Sequence, residues 1–262
     1  MSKPVKIIGI VLGSLIGLLL VTAGTLYAKT TLQFRKTYNI PVKAISIPTN
    51  PEAIARGKQW VESQCTHCHG LDLSGELFLD DPALATMYAP NLTPGEGGTG
   101  AKFTDLDWVR ALRHGIHPDG RSLVIMPSVE YTHFSDADLG DIIAYLKSLP
   151  RVNKTQPKAI FRPVGRILVA AGAFGPIIQA EAIDHTAERP TTILAGVSLE
   201  YGKYVVDVSG CRTCHGPDLS GAQSPEPGSP FAPGLIQGSQ VAYWSEADFI
   251  QSMRSGIAPS GR

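Results

Sequence analysis

With 262 residues, the chain is long enough for a membrane anchor and two domains of about 100 residues each. Its 23 basic and 23 acidic side chains cancel, which excludes the strongly basic balance of a nucleic-acid binder and any net attraction to highly charged partners. The 27 glycines and 20 prolines together exceed the roughly 12% of average usage, as expected of loop-rich domains.

Residues 1–6 carry two lysines, and Ile7 to Ala28 then runs without a charge. At 1.5 Å per residue this stretch reaches about 33 Å, enough to cross a hydrocarbon core of about 30 Å. Residues 1–28 read as an uncleaved membrane anchor. The alternative is a removed signal peptide, but cleavage after Ala28 would put Leu26 at the −3 position, where a small residue belongs. Residues 29–49 read as an extended tether carrying Pro41 and Pro48.

The first domain spans residues 50–150. Asn50 followed by Pro51 predicts a helix N-terminus, and the helix delivers the chain to Cys65. Cys65-Thr66-His67-Cys68-His69 follows, and it recurs as Cys211-Arg212-Thr213-Cys214-His215, which together use all four cysteines. Two cysteines two residues apart with His directly after them form the c-type haem attachment pattern. The two thiols add across the vinyl groups of one porphyrin, and the next side chain brings an imidazole beneath the iron. A zinc ribbon places its Cys-x-x-Cys pairs closer together than Cys68 and Cys211 stand, and a thioredoxin-type pair needs a βαβ context that is missing here. A simple disulfide would not explain why His69-Gly-Leu-Asp-Leu-Ser-Gly75 matches His215-Gly-Pro-Asp-Leu-Ser-Gly221. Two covalently bound haem c groups are therefore expected, held by Cys65, Cys68 and His69 and by Cys211, Cys214 and His215.

A Gly- and Pro-rich loop from about 70 to 102 contains Tyr88-Ala-Pro90-Asn-Leu-Thr-Pro94, matched by Phe231-Ala-Pro233-Gly-Leu235 in the second copy. Thr104 with Asp107 then predicts a capping box, stapled by Phe103 on Trp108, and Ser245 with Asp248 repeats it. These helices end at Gly115 and Gly256. Ser135 with Asp138 starts a third helix that runs to Leu149-Pro150. Residues 151–198 read as a linker hugging both domains, and residues 199–262 as the second domain.

Met126, in the loop segment before Pro127, is the candidate sixth ligand of the first iron, with Met87 as rival. His114, His117 and His133 are alternatives read as surface or turn histidines; His67 and His185 read as exposed. Aligning the copies pairs Leu112 with Met253, which makes Met253 a core position, and Gly120-Arg121 with Gly261-Arg262. The partner of Met126 would lie beyond Arg262, so the sequence is expected to be a fragment of a longer protein. A deliberately open second haem is the alternative.

The Cys65–His69 motif, the Ala89–Thr93 loop, Met126-Pro127 and Ser135–Leu139 together resemble class I cytochrome c domains. More narrowly, they resemble the membrane-anchored multi-haem cytochrome subunits of bacterial alcohol, aldehyde and gluconate dehydrogenases. The resemblance implies an all-α fold: an N-terminal transmembrane helix plus two small cytochrome c domains, the second lacking its C-terminal part. It also implies that Pro90 and Pro233 accept hydrogen bonds from the proximal imidazoles through their carbonyls. Covalent attachment takes place outside the bacterial cytoplasm, so the haem domains are expected on the periplasmic or extracellular side of a single-pass chain. The expected function is transfer of single electrons between a periplasmic donor and a respiratory acceptor, with a dehydrogenase or oxidase complex as candidate partner and no catalytic residue. A haem enzyme for sulfur-compound oxidation or peroxidase chemistry, using an open second iron, is the alternative.

Overall fold

A computed structural model describes residues 2–224 and 229–261, and the chain divides into two compact units, Met1–Ile193 and Leu194–Arg262. Helix α1 (Lys3–Arg35) carries the apolar N-terminus, with a mean hydropathy of 2.5 over its most apolar window. It continues seven residues past Ala28, into the stretch read as a tether. Lys29 and Arg35 end the apolar span but not the helix, because charged side chains are compatible with it and no Gly or Pro follows Gly24 until Pro41.

In the first unit, helix α2 (Pro51–Gln64) starts where Asn50 Oδ1 accepts from the Ala53 amide at 2.9 Å. The one-turn helix α3 (Thr66–His69) follows directly. The stretch read as an irregular loop contains a hairpin, β1 (Leu77–Asp81) and β2 (Ala85–Tyr88), closed by Asp81 Oδ1 accepting from the amides of Ala83 and Leu84. Helix α4 (Asp105–His114) has the complete capping box of Thr104 and Asp107, and its C-cap Gly115 lies in the left-handed region. Short helix α5 (Ser128–Tyr131) leads to α6 (Asp136–Ser148), capped by Ser135, which accepts from the Asp138 amide at 3.1 Å.

Helices α2 and α6 cross at Gly57. A Cβ there would lie 1.9 Å from the Asp141 carbonyl oxygen, so only glycine allows this approach. Beside the crossing, Arg56 Nε donates to Asp141 Oδ2 at 2.6 Å, and Trp60 packs edge-on against Phe134 with ring centroids 5.1 Å apart. Val61, Leu139, Ile143 and Leu146 fill the seam between the helices and Val109 adds from α4, all nearly inaccessible to solvent.

Most of the stretch read as a linker belongs to the first unit. Strand β3 (Ile160–Phe161) pairs with β2, which makes a three-stranded antiparallel sheet within a mostly helical fold and corrects the all-α expectation. Helix α7 (Pro163–Ala170) packs on the end of α1, and helix α8 (Gln179–Ala182) packs against α5. Thr30, fully buried, donates through Oγ1 to the Arg166 carbonyl at 2.6 Å, and the Arg166 guanidinium lies over the rings of Tyr27 and Phe34, 5.5 Å from each centroid. Glu181 accepts from Gln33, Lys36 and Tyr38. Composition could not disclose these contacts, because those with residues 27–38 join positions well over a hundred apart and the rest span about 50 or more.

The second unit holds α9 (Leu199–Val208), capped by Ser198, and α10 (Cys211–His215). A two-stranded pair, β4 (Ala222–Gln223) and β5 (Phe231–Ala232), a short 3-10 helix and α11 (Glu246–Ser255) complete it. Ser245 and Asp248 form the second capping box, and Gly256 is left-handed.

The crossing of α2 and α6 makes a direct test. Gly57→Ala should destabilise by about 1–3 kcal/mol, the usual cost of overpacking against backbone. Gly202→Ala, on α9 with nothing within 4 Å of its Cβ position, should be neutral or stabilise by about 0.5–1 kcal/mol. Thermal denaturation of the two variants would separate the effects.

Candidate functional site

The C-terminal turn of α2 hands Cys65 to the site, its amide bonded to the Val61 carbonyl at 2.8 Å, and α3 presents Cys68 and His69 one turn later. His69 Nδ1 lies 2.8 Å from the carbonyl oxygen of Pro90. A carbonyl can only accept, so the proton sits on Nδ1 and Nε2 keeps its lone pair for a metal ion. Burial also holds the His69 pKa down, which favours the neutral imidazole. Desolvation raises the Cys65 thiol to about 12 and raises that of Cys68, so both sulfurs stay protonated in this apolar wall.

The loop that carries Pro90 is fixed from both sides. The Gly75 amide donates to the His69 carbonyl at 2.8 Å and the Leu92 amide to the Leu73 carbonyl at 2.9 Å, with Leu73 in the left-handed region at φ 59°. A Cβ on Gly75 would lie 2.4 Å from the Ala89 carbonyl oxygen, so glycine lets the two loops touch. Asn91, fully buried, donates through Nδ2 to the carbonyls of Val152 and Lys154, and its Oδ1 accepts from the Thr93 amide.

Cys65, Cys68 and His69 form one wall of a cleft of about 900 Å³ including its open mouth. Met126 and Pro127 line the same cleft, as does Met87 on β2, so the predicted ligand and its rival are brought to one place. Among the described residues His69 is the only histidine on the lining. The residues fit a haem: the walls are mostly apolar, the imidazole Nε2 is free, and Trp108 adds a buried indole N–H with no hydrogen-bond partner. An unpaired buried donor on a cleft wall suits the anionic edge of a bound group. The sequence marks Trp108 only as the partner of Phe103, which it also is, at 5.1 Å between ring centroids.

The Met126 segment is pinned by the stretch read as a linker. Ile125 is left-handed at φ 69°, a costly conformation for a β-branched residue. Its amide donates to the Ile177 carbonyl at 2.9 Å, Val124 forms a bridge with Ile178, and the Gln179 amide donates to the Leu123 carbonyl at 3.2 Å. The buried Gln179 side chain accepts from the Val129 amide at 3.1 Å and donates to the Pro176 carbonyl at 3.0 Å. The signal in the sequence is slight: Gln179 is the one polar side chain in the uncharged run from Ile167 to Ala180.

Two histidines depart from expectation. His114, read as a surface or turn residue, is buried, and its Nδ1 lies 3.1 Å from Nδ1 of His185, which is half-buried and not exposed. Burial, then His185 and the nearby Arg113, Arg189 and Arg110, lower the His114 pKa to about 4. His67 and His133 are exposed, and His117 lies beside Asp119 at 3.0 Å.

The second unit repeats the backbone scheme. His215 Nδ1 lies 2.7 Å from the Pro233 carbonyl, the Gly221 amide donates to the His215 carbonyl at 2.9 Å, the Leu235 amide donates to the Leu219 carbonyl at 2.8 Å, and Leu219 is left-handed at φ 63°. Cys211 and His215 are half-buried and Cys214 is exposed. Met253, read as a core position, is 70% exposed on α11. Its equivalent Leu112 is buried among elements for which the described second unit has no counterpart. Arg262, paired with Arg121 by alignment, lies outside the described residues.

Residues 54–150 match the family Cytochrome c and form a cytochrome c domain. The chain is 29% identical over 250 residues to a subunit of the nicotinate dehydrogenase of Pseudomonas putida, covering 84% of this chain and 20% of that protein. It is 26% identical over 270 residues to the fructose dehydrogenase cytochrome subunit of Gluconobacter japonicus (92% of this chain, 51% of that one). It is also 28% identical over 223 residues to a dihaem cytochrome c-type protein of Cereibacter sphaeroides (74% and 70%). The chain thus spans a fifth of the first of these relatives and about half of the second.

Gln179→Ala removes the acceptor of the Val129 amide and should cost about 1–3 kcal/mol. Hydrogen exchange at Val129 and Ile125 would rise with it, while the α2–α6 crossing stays protected. Because the folded His114 pKa lies below its ordinary 6.5, the unfolded chain binds more protons between pH 6.5 and about 4. Stability should be full above 6.5 and fall as the pH drops through that window. His114→Leu should flatten the slope, as read by urea denaturation at several pH values.

Proposed function

With residues 54–150 a cytochrome c domain, we propose that the chain is a membrane-tethered dihaem cytochrome c carrying single electrons from a periplasmic donor to a respiratory acceptor. The observation that carries this reading is the imidazole-to-carbonyl bond behind each Cys-x-x-Cys-His motif, at 2.8 Å in one unit and 2.7 Å in the other. A bound haem supplies reversible one-electron exchange at its iron. Cys65 with Cys68, and Cys211 with Cys214, are the thioether-forming pairs. His69 and His215 are the proximal ligands, each oriented by the carbonyl of Pro90 or Pro233. Met126 is the sixth ligand of the first iron, and a thioether there raises the reduction potential. Trp108 offers its N–H to the anionic edge of the group, and the apolar wall keeps water from the iron.

α1 serves as a retained anchor in the bacterial cytoplasmic membrane. Cleavage after Ala28 would cut the helix inside its contact with α7, between Tyr27 and Thr30. The name of the fructose dehydrogenase cytochrome subunit supports a dehydrogenase as the donor, with this chain as an electron-transfer subunit and not itself a catalyst.

Pyridine haemochrome analysis of the matured protein should give two haems per chain, and one after Cys211→Ser with Cys214→Ser. Met126→Ala should abolish the near-infrared band of Met-to-iron ligation and lower one potential by at least about 60 mV, a tenfold change in a one-electron equilibrium. Met87→Leu should leave both readings intact; loss of the band in that variant would transfer the role to Met87. A second haem that stays high-spin would favour the haem-enzyme reading over the simple carrier.

A further inference from the structure

We propose that residues 163–176, helix α7 and the turn after it, are a second membrane contact lying in the headgroup–acyl boundary of the leaflet from which α1 emerges. The proposal rests on α1 spanning the bilayer.

Four observations converge on it. The first is composition: Ile167 to Ala180 runs without a charged side chain, immediately after Arg162 and Arg166. The second is position. α7 is fastened to α1 through Thr30, Thr31 and the Arg166 stack on Tyr27 and Phe34, the aromatic level at which a spanning helix meets the interface. Ile167 shares a groove with Leu19, Ala23 and Leu26 of the apolar span itself, so α7 overlaps the outer part of that span. The third is exposure. Val164 is 49% exposed, and Ala171, Gly172 and Ala173 are exposed as well, continuing the bare apolar surface of α1. Lys29 and Arg35 stand at the same level for anionic headgroups, and the nearby carboxylate, Glu181, is taken up by Gln33, Lys36 and Tyr38.

The fourth is hydrogen bonding. A turn in water has no need to satisfy its own amides, whereas one against lipid does. Here the amide of Ala171 donates to Ile167, Gly172 to Val169, Ala173 to Leu168, Gly175 to Gly172 and Ile177 to Gly175. Lys29 Nζ adds a bond to the Ala170 carbonyl at the open end of α7. A short, internally bonded segment, uncharged beyond Arg166 and moored to the exit of a spanning helix, is built for the interface.

Full-length oxidised holoprotein in liposomes tests this by site-directed spin labelling, since the haem thioethers consume the native thiols. Labels at Ala173→Cys, at Leu18→Cys in the span and at Lys158→Cys on the exposed surface would be compared by their collision rates with oxygen and with a water-soluble nickel chelate. The Ala173 label should fall between the other two, with nickel access several-fold below that at Lys158 and oxygen access below that at Leu18. A lipid-like Leu18 label with a water-like Ala173 label would overturn the proposal and leave the anchor standing. A water-like Leu18 label would overturn the anchor and the proposal together. An Ala173 label shielded from oxygen and nickel alike would replace the bilayer with a protein partner.

Discussion

Everything else at the first site depends on one hydrogen bond, from His69 Nδ1 to the Pro90 carbonyl. It fixes the tautomer, turns the ring, and leaves Nε2 as the only nitrogen free to bind a metal. A carbonyl holds a ring this way only if its own loop is immobile, and that requirement spreads outward. Asn91 ties the loop to residues 152–154, Gly75 brings the motif flank into backbone contact with Ala89, and Leu73 and Leu92 close the far side. The second unit meets the same requirement with Gly221, Leu219 and Leu235 around Pro233. The matching Asp-Leu-Ser-Gly flanks are therefore not decoration on a haem motif. They form the turn against which the loop carrying the second half of the bond is held.

The electrostatics of the cleft follow the same economy. His69 is kept neutral by burial and the cysteine thiols are kept protonated, so the described cleft contains no ionised side chain among its lining residues. Charge is handled just outside it. Arg113 spans the gap between α4 and α6, bonding Asp136 and the Phe134 carbonyl, while Arg189 holds the Thr132 carbonyl and hydroxyl from the far side of the linker. A group with a reducible metal in an apolar cavity would be stabilised in its less charged state.

What can be read from the sequence is what is local. Caps at Asn50, Thr104, Ser135 and Ser245 act over three residues, and left-handed glycines at 115 and 256 act over one, so composition alone identifies them. The haem motif is local for the same reason, because its spacing matches a rigid cofactor. What stays hidden is long-range. Gln179 stands out only as a lone polar side chain in an uncharged run, with no sign that it will brace residues 123–129, and nothing near Arg166 announces two aromatic rings from the N-terminal helix. The hairpin Leu77–Tyr88 is lost in a Gly- and Pro-rich stretch whose loop composition is real but whose pairing with β3 depends on residues 160–161. Alignment with Leu112 places Met253 in a core, an inference that carries over a position but not the neighbours that bury it.

The strap of residues 151–193 has a consequence for how modules are counted in this chain. The family resemblance ends at residue 150, yet the groups that hold the Pro90 loop, the Met126 segment and the N-terminus of α6 come from beyond it, at Val152 and Lys154, at Ile177 to Gln179, and at Pro190 and Thr191. The stretch that can be recognised as a repeat is thus smaller than the stretch that must fold together. A boundary drawn where likeness stops would sever a cooperative body, and grafting the recognisable segment alone into another protein would transplant a binding motif without the braces that make it rigid.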